Sequence, residues 1–188
     1  MEKKEAFIIE DGILLSYLED EAVVTIPEGV VSVSANAFQE KRKMKKIVFP
    51  SSLRQIGGDS RHGVFDFCDA LQTIVFQNGL EVIGPKAFYQ CRALQTIEFP
   101  NTLKEIQENA FSQCFSLNSI TIPDSVRIIG ANAFSGCNSL ISIKLPQYTK
   151  IIPHGAFHGC SALENVTLPD GLEQIDEYAF CSTENRFA

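Results

Sequence analysis

Ala87-Phe88-Tyr89-Gln90-Cys91-Arg92-Ala93-Leu94-Gln95-Thr96-Ile97-Glu98-Phe99-Pro100 decides the architecture of this chain, because the pattern it carries returns again and again. Phe65, Phe88, Phe111, Phe134, Phe157 and Phe180 stand 23 positions apart, each preceded by Ala or, in one case, by Val64. Cys68, Cys91, Cys114, Cys137 and Cys160 keep the same step, as do Leu71, Leu94, Leu117, Leu140 and Leu163. A period of this length is one supersecondary unit, and such units bury their flat sides only by stacking on one another. The expected product is one continuous stack that generates surface rather than a pocket.

Inside the repeat, Ile97 in, Glu98 out and Phe99 in give the period of two of a half-buried strand. Pro100, like Pro27, Pro50, Pro123, Pro146 and Pro169, closes that strand, since it lacks an N–H and fixes φ. Gln77 is the exception at this corner. Leu103 and Ile106 then supply a second short inward segment, and Gly57, Gly84 and Gly130 are expected to permit the next bend. Coils stacked at the ~4.8 Å spacing of paired strands turn each Phe, Cys, Leu and Ile slot into an internal row.

The ends depart from the repeat. Phe7 and Ile9, Asp11-Gly12, then Ile13, Leu15 and Tyr17 predict a hairpin with a tight turn, closing the first coil ahead of Val24-Thr25-Ile26-Pro27. Residues 1–23 are therefore assigned to an N-terminal cap, 24–181 to the stack, and 182–188 to a terminal segment. The first full repeat is degenerate, with Lys41 in the Cys slot and Met44 in the Leu slot, as expected beside a cap. Ile56 and Phe65 are nine positions apart where Ile83 and Phe88 are five, and the extra residues, including Asp59, Arg61 and His62, are expected to protrude as a loop. After Phe180 the slots are filled by Thr183 and Arg186, with Cys181 out of register. Either Glu184-Asn185-Arg186-Phe187 folds over the open edge, or the last coil associates weakly with another molecule.

A net charge of −7 makes polyphosphate an unfavourable partner, so nucleic acid is not expected. The basic run Lys41 to Lys46 lacks neighbouring aromatics and reads as a solvated face. No stretch approaches the ~20 apolar residues of a membrane span, and no signal peptide is visible behind Met1-Glu2-Lys3-Lys4-Glu5. The chain as written is expected in the cytoplasm, or at the cell surface or secreted if a leader has been removed.

Chemistry finds little support. Five cysteines in one row are expected to be buried free thiols filling space under the phenylalanines. His154, His158 and Cys160 have a superficially metal-like spacing, but Cys160 is committed to the interior while His158 shares the slot of Tyr89, Ser112 and Ser135, expected at the rim, so no metal or cofactor is expected. There is no Gly-x-Ser-x-Gly elbow and no glycine-rich phosphate loop, and Glu98, Glu105 and Glu108 are spread along exposed slots, so no enzyme is expected. Asn165-Val166-Thr167 matches a glycosylation acceptor.

Binding is expected instead on the outward strand positions. These form two rows: Lys46, Thr73, Thr96, Ser119, Ser142 and Asn165, then Val48, Val75, Glu98, Thr121, Lys144 and Thr167. Small hydroxyl side chains predominate, so the platform should be flat, weakly charged and suited to an extended protein segment; neither row contains an aromatic anchor.

The Ala-Phe, Cys, Leu, Ile, Pro pattern at this period closely resembles the bacterial BspA-like, Treponema-type leucine-rich repeats, over roughly residues 24–181. The resemblance implies a leucine-rich-repeat solenoid, a right-handed stack of ~23-residue coils with a parallel sheet on one face, short second strands, and turns or short helical segments between them. It also implies a surface or secreted protein that adheres to host or bacterial proteins.

Overall fold

The computed structural model describes residues 6–57 and 61–183. The hairpin consists of β1 (Phe7–Glu10) and β2 (Ile13–Tyr17), and every later coil adds a three-residue strand and a two-residue strand. In chain order these are β3 (Val23–Thr25), β4 (Ser32–Val33), β5 (Lys46–Val48), β6 (Gln55–Ile56), β7 (Thr73–Val75), β8 (Val82–Ile83), β9 (Thr96–Glu98) and β10 (Glu105–Ile106). The series continues with β11 (Ser119–Thr121), β12 (Ile128–Ile129), β13 (Ser142–Lys144), β14 (Ile151–Ile152), β15 (Asn165–Thr167) and β16 (Gln174–Ile175). The three-residue strands pair in parallel from β3 to β11, and β2 with the two-residue strands from β4 to β12. β13 pairs with β15 and β14 with β16, as separate sheets. The ladders are thus interrupted once on each side, where the equal repeat length had predicted unbroken rows.

The third side of each coil, at the Ala-Phe turn, carries a ladder of its own. In the coil of Phe88, the N–H groups of Lys86, Phe88 and Gln90 donate to the carbonyls of Glu108, Ala110 and Ser112 at 3.0, 2.8 and 2.9 Å. The chain makes this turn with left-handed residues on either side of the phenylalanine, such as Asn36 and Glu40, Lys86 and Gln90, Asn109 and Gln113. Asn tolerates that conformation; Phe67, at φ 64°, and Tyr178, at φ 60°, adopt it at a cost of roughly 1–2 kcal/mol each. Turns, and no helix among the described residues, therefore connect the strands.

Behind this side lies the aromatic column. Phe38, Phe65, Phe88, Phe111, Phe134, Phe157 and Phe180 stack face to face with ring centroids 4.8–5.6 Å apart. Tyr17 and Phe7 continue it into the cap, at 5.5 and 5.0 Å, an extension the hairpin pattern did not disclose. The cap differs from strict alternation in another respect. A register shift between Ile8 and Ile9 leaves Leu15 unpaired, so Leu14 and Tyr17 are the buried residues of β2 while Ile13 and Leu15 face outward. Asp11 and Gly12, at φ 48° and 76°, make the expected hairpin turn.

The cysteines are buried and free at Cys68, Cys91, Cys114, Cys137 and Cys160, and Cys181 is exposed. They are more than small apolar fillers. Cys68, Cys114, Cys137 and Cys160 each point Sγ at the carbonyl of the phenylalanine one coil back, at 3.0–3.4 Å. A carbonyl buried in the column thereby gains a donor that Ala or Val could not offer.

Of the glycines expected to permit the bend, Gly57 takes the left-handed side at φ 129°, but Gly84 acts differently. A Cβ on Gly84 would lie 2.9 Å from the Ile56 carbonyl oxygen and 3.0 Å from the Cα of Gly57, and Gly84 has no positive φ. Glycine is needed there because adjacent coils touch backbone to backbone. The Pro corners are i to i+3 turns, as in Leu53 N–H to Pro50 and Leu103 N–H to Pro100, with N···O distances of 3.3 and 3.0 Å.

Candidate functional site: the three-residue strand face

In each three-residue strand the central residue is turned into the core: Ile47, Ile74, Ile97, Ile120 and Ile143 are buried, and Val166 packs against them. Alternation then forces both flanking side chains outward. Lys46, Thr73, Thr96, Ser119, Ser142 and Asn165 form one exposed row. Glu98, Thr121, Lys144 and Thr167 are exposed in the second row, where Val48 and Val75 are half-buried. Parallel register holds the rows straight, with Thr73 beside Thr96 beside Ser119, and Val75 beside Glu98 beside Thr121.

The platform is not flat. Two shallow hollows of about 240 and 450 Å³ adjoin at Thr96 and Glu98. The first reaches Phe76, and the second reaches Phe99, Asn101 and Pro123. Their backbone cause is visible. Ile26 donates to the Val48 carbonyl at 3.0 Å and Phe49 to that of Val75 at 2.9 Å, but the equivalent bonds from Phe76 to Glu98 and from Phe99 to Thr121 are not formed. The strand ends splay there, and the Phe76 and Phe99 rings stand 6.3 Å apart, against 5.4 Å for Phe49 and Phe76. Both phenylalanines are half-buried at the rim, so the face does possess aromatic anchors. Inspection of the two exposed rows alone misses them, because their slot, just before the corner proline, reads as core. Glu98 is the single carboxylate among the twelve outward residues, with Lys46 and Lys144 towards the two ends.

The remaining candidate positions do not converge on this face. Arg61 and His62 are exposed in the inserted segment, Asp59 lies outside the described residues, and beyond the insertion Gly63, Val64 and Phe65 are buried again. His154 rests edge-on against Tyr178 with centroids 5.4 Å apart, and no group of three metal-ligating side chains gathers among the described residues. Ser112, placed at the rim from sequence, is buried, whereas His158 in the same slot is exposed. Burial pushes the thiols of Cys68 and Cys160 up to about 12, and those of Cys91, Cys114 and Cys137 well above the ordinary value, with neighbouring thiols adding to the rise. Such thiols are poor nucleophiles and poor metal ligands.

At the C-terminal end, Val166, Leu168, Ile175, Tyr178, Ala179 and Phe180 line an apolar hollow of about 510 Å³ beside the last coil. The residues that could fold over it, 184–187, lie outside the described residues. No helix among the described residues is long and apolar enough to cross a membrane.

Parallel three-sided coils at a 23-residue period, with phenylalanine and cysteine columns inside, define a leucine-rich-repeat solenoid. The sequence family described as BspA type leucine rich repeat region matches in six copies over residues 18–60 and 60–186, and the chain belongs to that family. A leucine-rich repeat protein of T. pallidum has a similar structure, at 35% identity and a TM-score of 0.81 over 87% of this chain and 77% of that one. Another, from Bacteroides ovatus, is 32% identical with a TM-score of 0.64, covering 98% of this chain. The chain spans 55% of the length of the Bacteroides protein. A search of the curated proteins finds no match.

Proposed function

We propose that this chain is a non-enzymatic protein-binding module that grips an extended polypeptide segment across the face of β5, β7, β9, β11, β13 and β15. The observation that carries this reading is the pair of straight, exposed rows with a splayed groove at their centre, where Phe76 and Phe99 offer apolar contact and Glu98 offers one charge. Continuous pairing holds the part of this surface on β5, β7, β9 and β11 in register, so little ordering cost falls on that part when it binds. The hydroxyl-rich rows supply hydrogen bonds, and a side chain entering between the two rings would supply the anchor. A role in adhesion at a bacterial surface is the biological form this reading takes in a BspA-type repeat protein. Affinity capture of partners with the intact chain and with Thr96, Glu98, Thr121 and Lys144 replaced together tests it. Loss of capture is expected, and unchanged capture would sink the proposal.

The second reading is self-association through the last coil, favoured by the apolar hollow beside Leu168, Ile175 and Phe180. Light scattering across a concentration series, before and after deletion of residues 180–188, separates the two. Assembly that disappears while partner capture persists assigns the end to association and the strand face to recognition.

A further inference from the structure

We infer that the solenoid has a built-in hinge between the coil of β11 and β12 and the coil of β13 and β14, created by Pro153. In every other coil the residue in this slot donates its backbone N–H to the coil before it. Ser34 donates to Leu14, Gly57 to Val33, Gly84 to Ile56, Gln107 to Ile83, Gly130 to Ile106 and Asp176 to Ile152, at 2.6–3.1 Å. Pro153 has no N–H to give, and the Ile129 carbonyl goes without that rung.

The loss spreads along the strand. Arg127 and Ile128 both donate to the Lys104 carbonyl, and Glu173 and Gln174 both donate to that of Lys150, but Lys150 and Ile151 make no such bond to Arg127. A cleft of about 310 Å³ opens between β12 and β14. Ile129 is half-exposed, while Ile106 and Ile152, which hold the same slot in the flanking coils, are buried. Across the core, the ladder of the three-residue strands weakens at the same junction: Ile141 N–H reaches Asn118 at 3.5 Å, and β11 and β13 are unpaired. Only the aromatic side is whole. Asn132, Phe134 and Gly136 donate to His154, Ala156 and His158 at 2.7–2.9 Å, and Phe134 stacks on Phe157.

Two open sides and one closed side make a hinge whose axis runs along the Phe134–Phe157 edge. The last two coils, carrying Ser142, Lys144, Asn165 and Thr167, pivot as one block against the five-strand sheet that carries the rest of the face. Local opening at low cost is expected where rungs are missing. The inference stands whether or not the strand face binds a partner, since it rests on the junction alone.

Amide exchange on the full chain, followed by NMR, tests it first. Lys150 and Ile151 should exchange at least about tenfold faster than Arg127 and Ile128, their equivalents one coil earlier. Equal protection would overturn the hinge. Pro153→Gly restores a donor of the kind Gly130 already supplies in this slot, and should slow exchange at Ile151 by about tenfold; no slowing would remove the proline as cause. Spin labels on Cys181→Ser protein report the motion itself. The pair Thr96→Cys and Asn165→Cys, spanning the junction, should give a broader distance distribution than Val23→Cys and Thr96→Cys, which span as many coils upstream. Equal widths would reduce the junction to local fraying and overturn the hinge. If the glycine variant does not fold, the parent exchange pattern and the two label pairs decide the matter.

Discussion

The aromatic side and the strand sides of the same coils behave differently. From Asn36 to Gly159 the hydrogen-bond ladder at the phenylalanine turn continues through every coil, while each strand ladder breaks at the junction before Pro153. The side labelled by turns is thus the more continuous one, and the sides labelled by strands are the adaptable ones. Continuity comes from rings stacked in register, thiols bonded to the carbonyls between them, and backbone rungs in every coil, three in most and one at Phe65, which donates to the Ala87 carbonyl at 3.3 Å. Presentation of outward side chains is left to strands that tolerate splaying.

Breaking the aromatic side should have the largest effect. Phe111→Ala or Phe134→Ala removes a fully buried ring from mid-column and should cost about 3–5 kcal/mol in urea unfolding. Phe180→Ala, at a half-buried end, should cost less than half of that, and equal losses would contradict a stack held by neighbours on both sides.

Alkaline pH attacks the same column more broadly. The buried thiols ionise in the unfolded chain near the ordinary value of about 9 but remain protonated in the folded one, where Cys68 and Cys160 reach about 12. A raised folded value means stability is fully present below pH about 9 and is lost as pH climbs from there towards 12. Chemical denaturation midpoints measured from pH 7 to 11 should therefore fall only above 9. Alkylation of the native protein at pH 8 should modify Cys181 alone, with all six cysteines modified in denaturant; labelling of a second native cysteine would contradict the closed column.

Cys137→Ala sharpens the comparison further, because it removes one of the two donors to the Phe111 carbonyl, leaving the Cys114 N–H, and should cost about 0.5–1.5 kcal/mol. Cys91→Ala, whose thiol makes no such bond, should cost less. Phe67→Gly relieves a bulky left-handed residue on the outer turn and should stabilise by up to about 1 kcal/mol. Replacing Thr96, Thr121 and Lys144 on the strand face should change stability by less than about 0.5 kcal/mol per residue while abolishing partner capture, which separates presentation from support.

Much of this architecture could be read directly from residues. Phe65 to Phe180 and Cys68 to Cys160 announced the columns, the alternation around Ile97 announced the outward rows, and Asp11-Gly12 announced the hairpin. What stayed hidden depended on contacts between coils. Leu14 rather than Leu15 faces inward because of a bulge, and Gly84 is glycine because Gly57 lies against it. Phe76 and Phe99 occupy a core slot and come to the rim only because the strand ends separate. Even Pro153, plain in the sequence, reads as one more turn residue until the donors of its six counterparts are seen.

Repeat length and the identity of the residue in each slot determined by themselves that the chain coils, what it buries and which side chains it turns outward, since period and alternation are local properties of the backbone. Tertiary structure decided where the stack is tight and where it yields. Rungs between coils form only if donor, acceptor and spacing agree across residues 23 positions apart, and no single repeat contains that information.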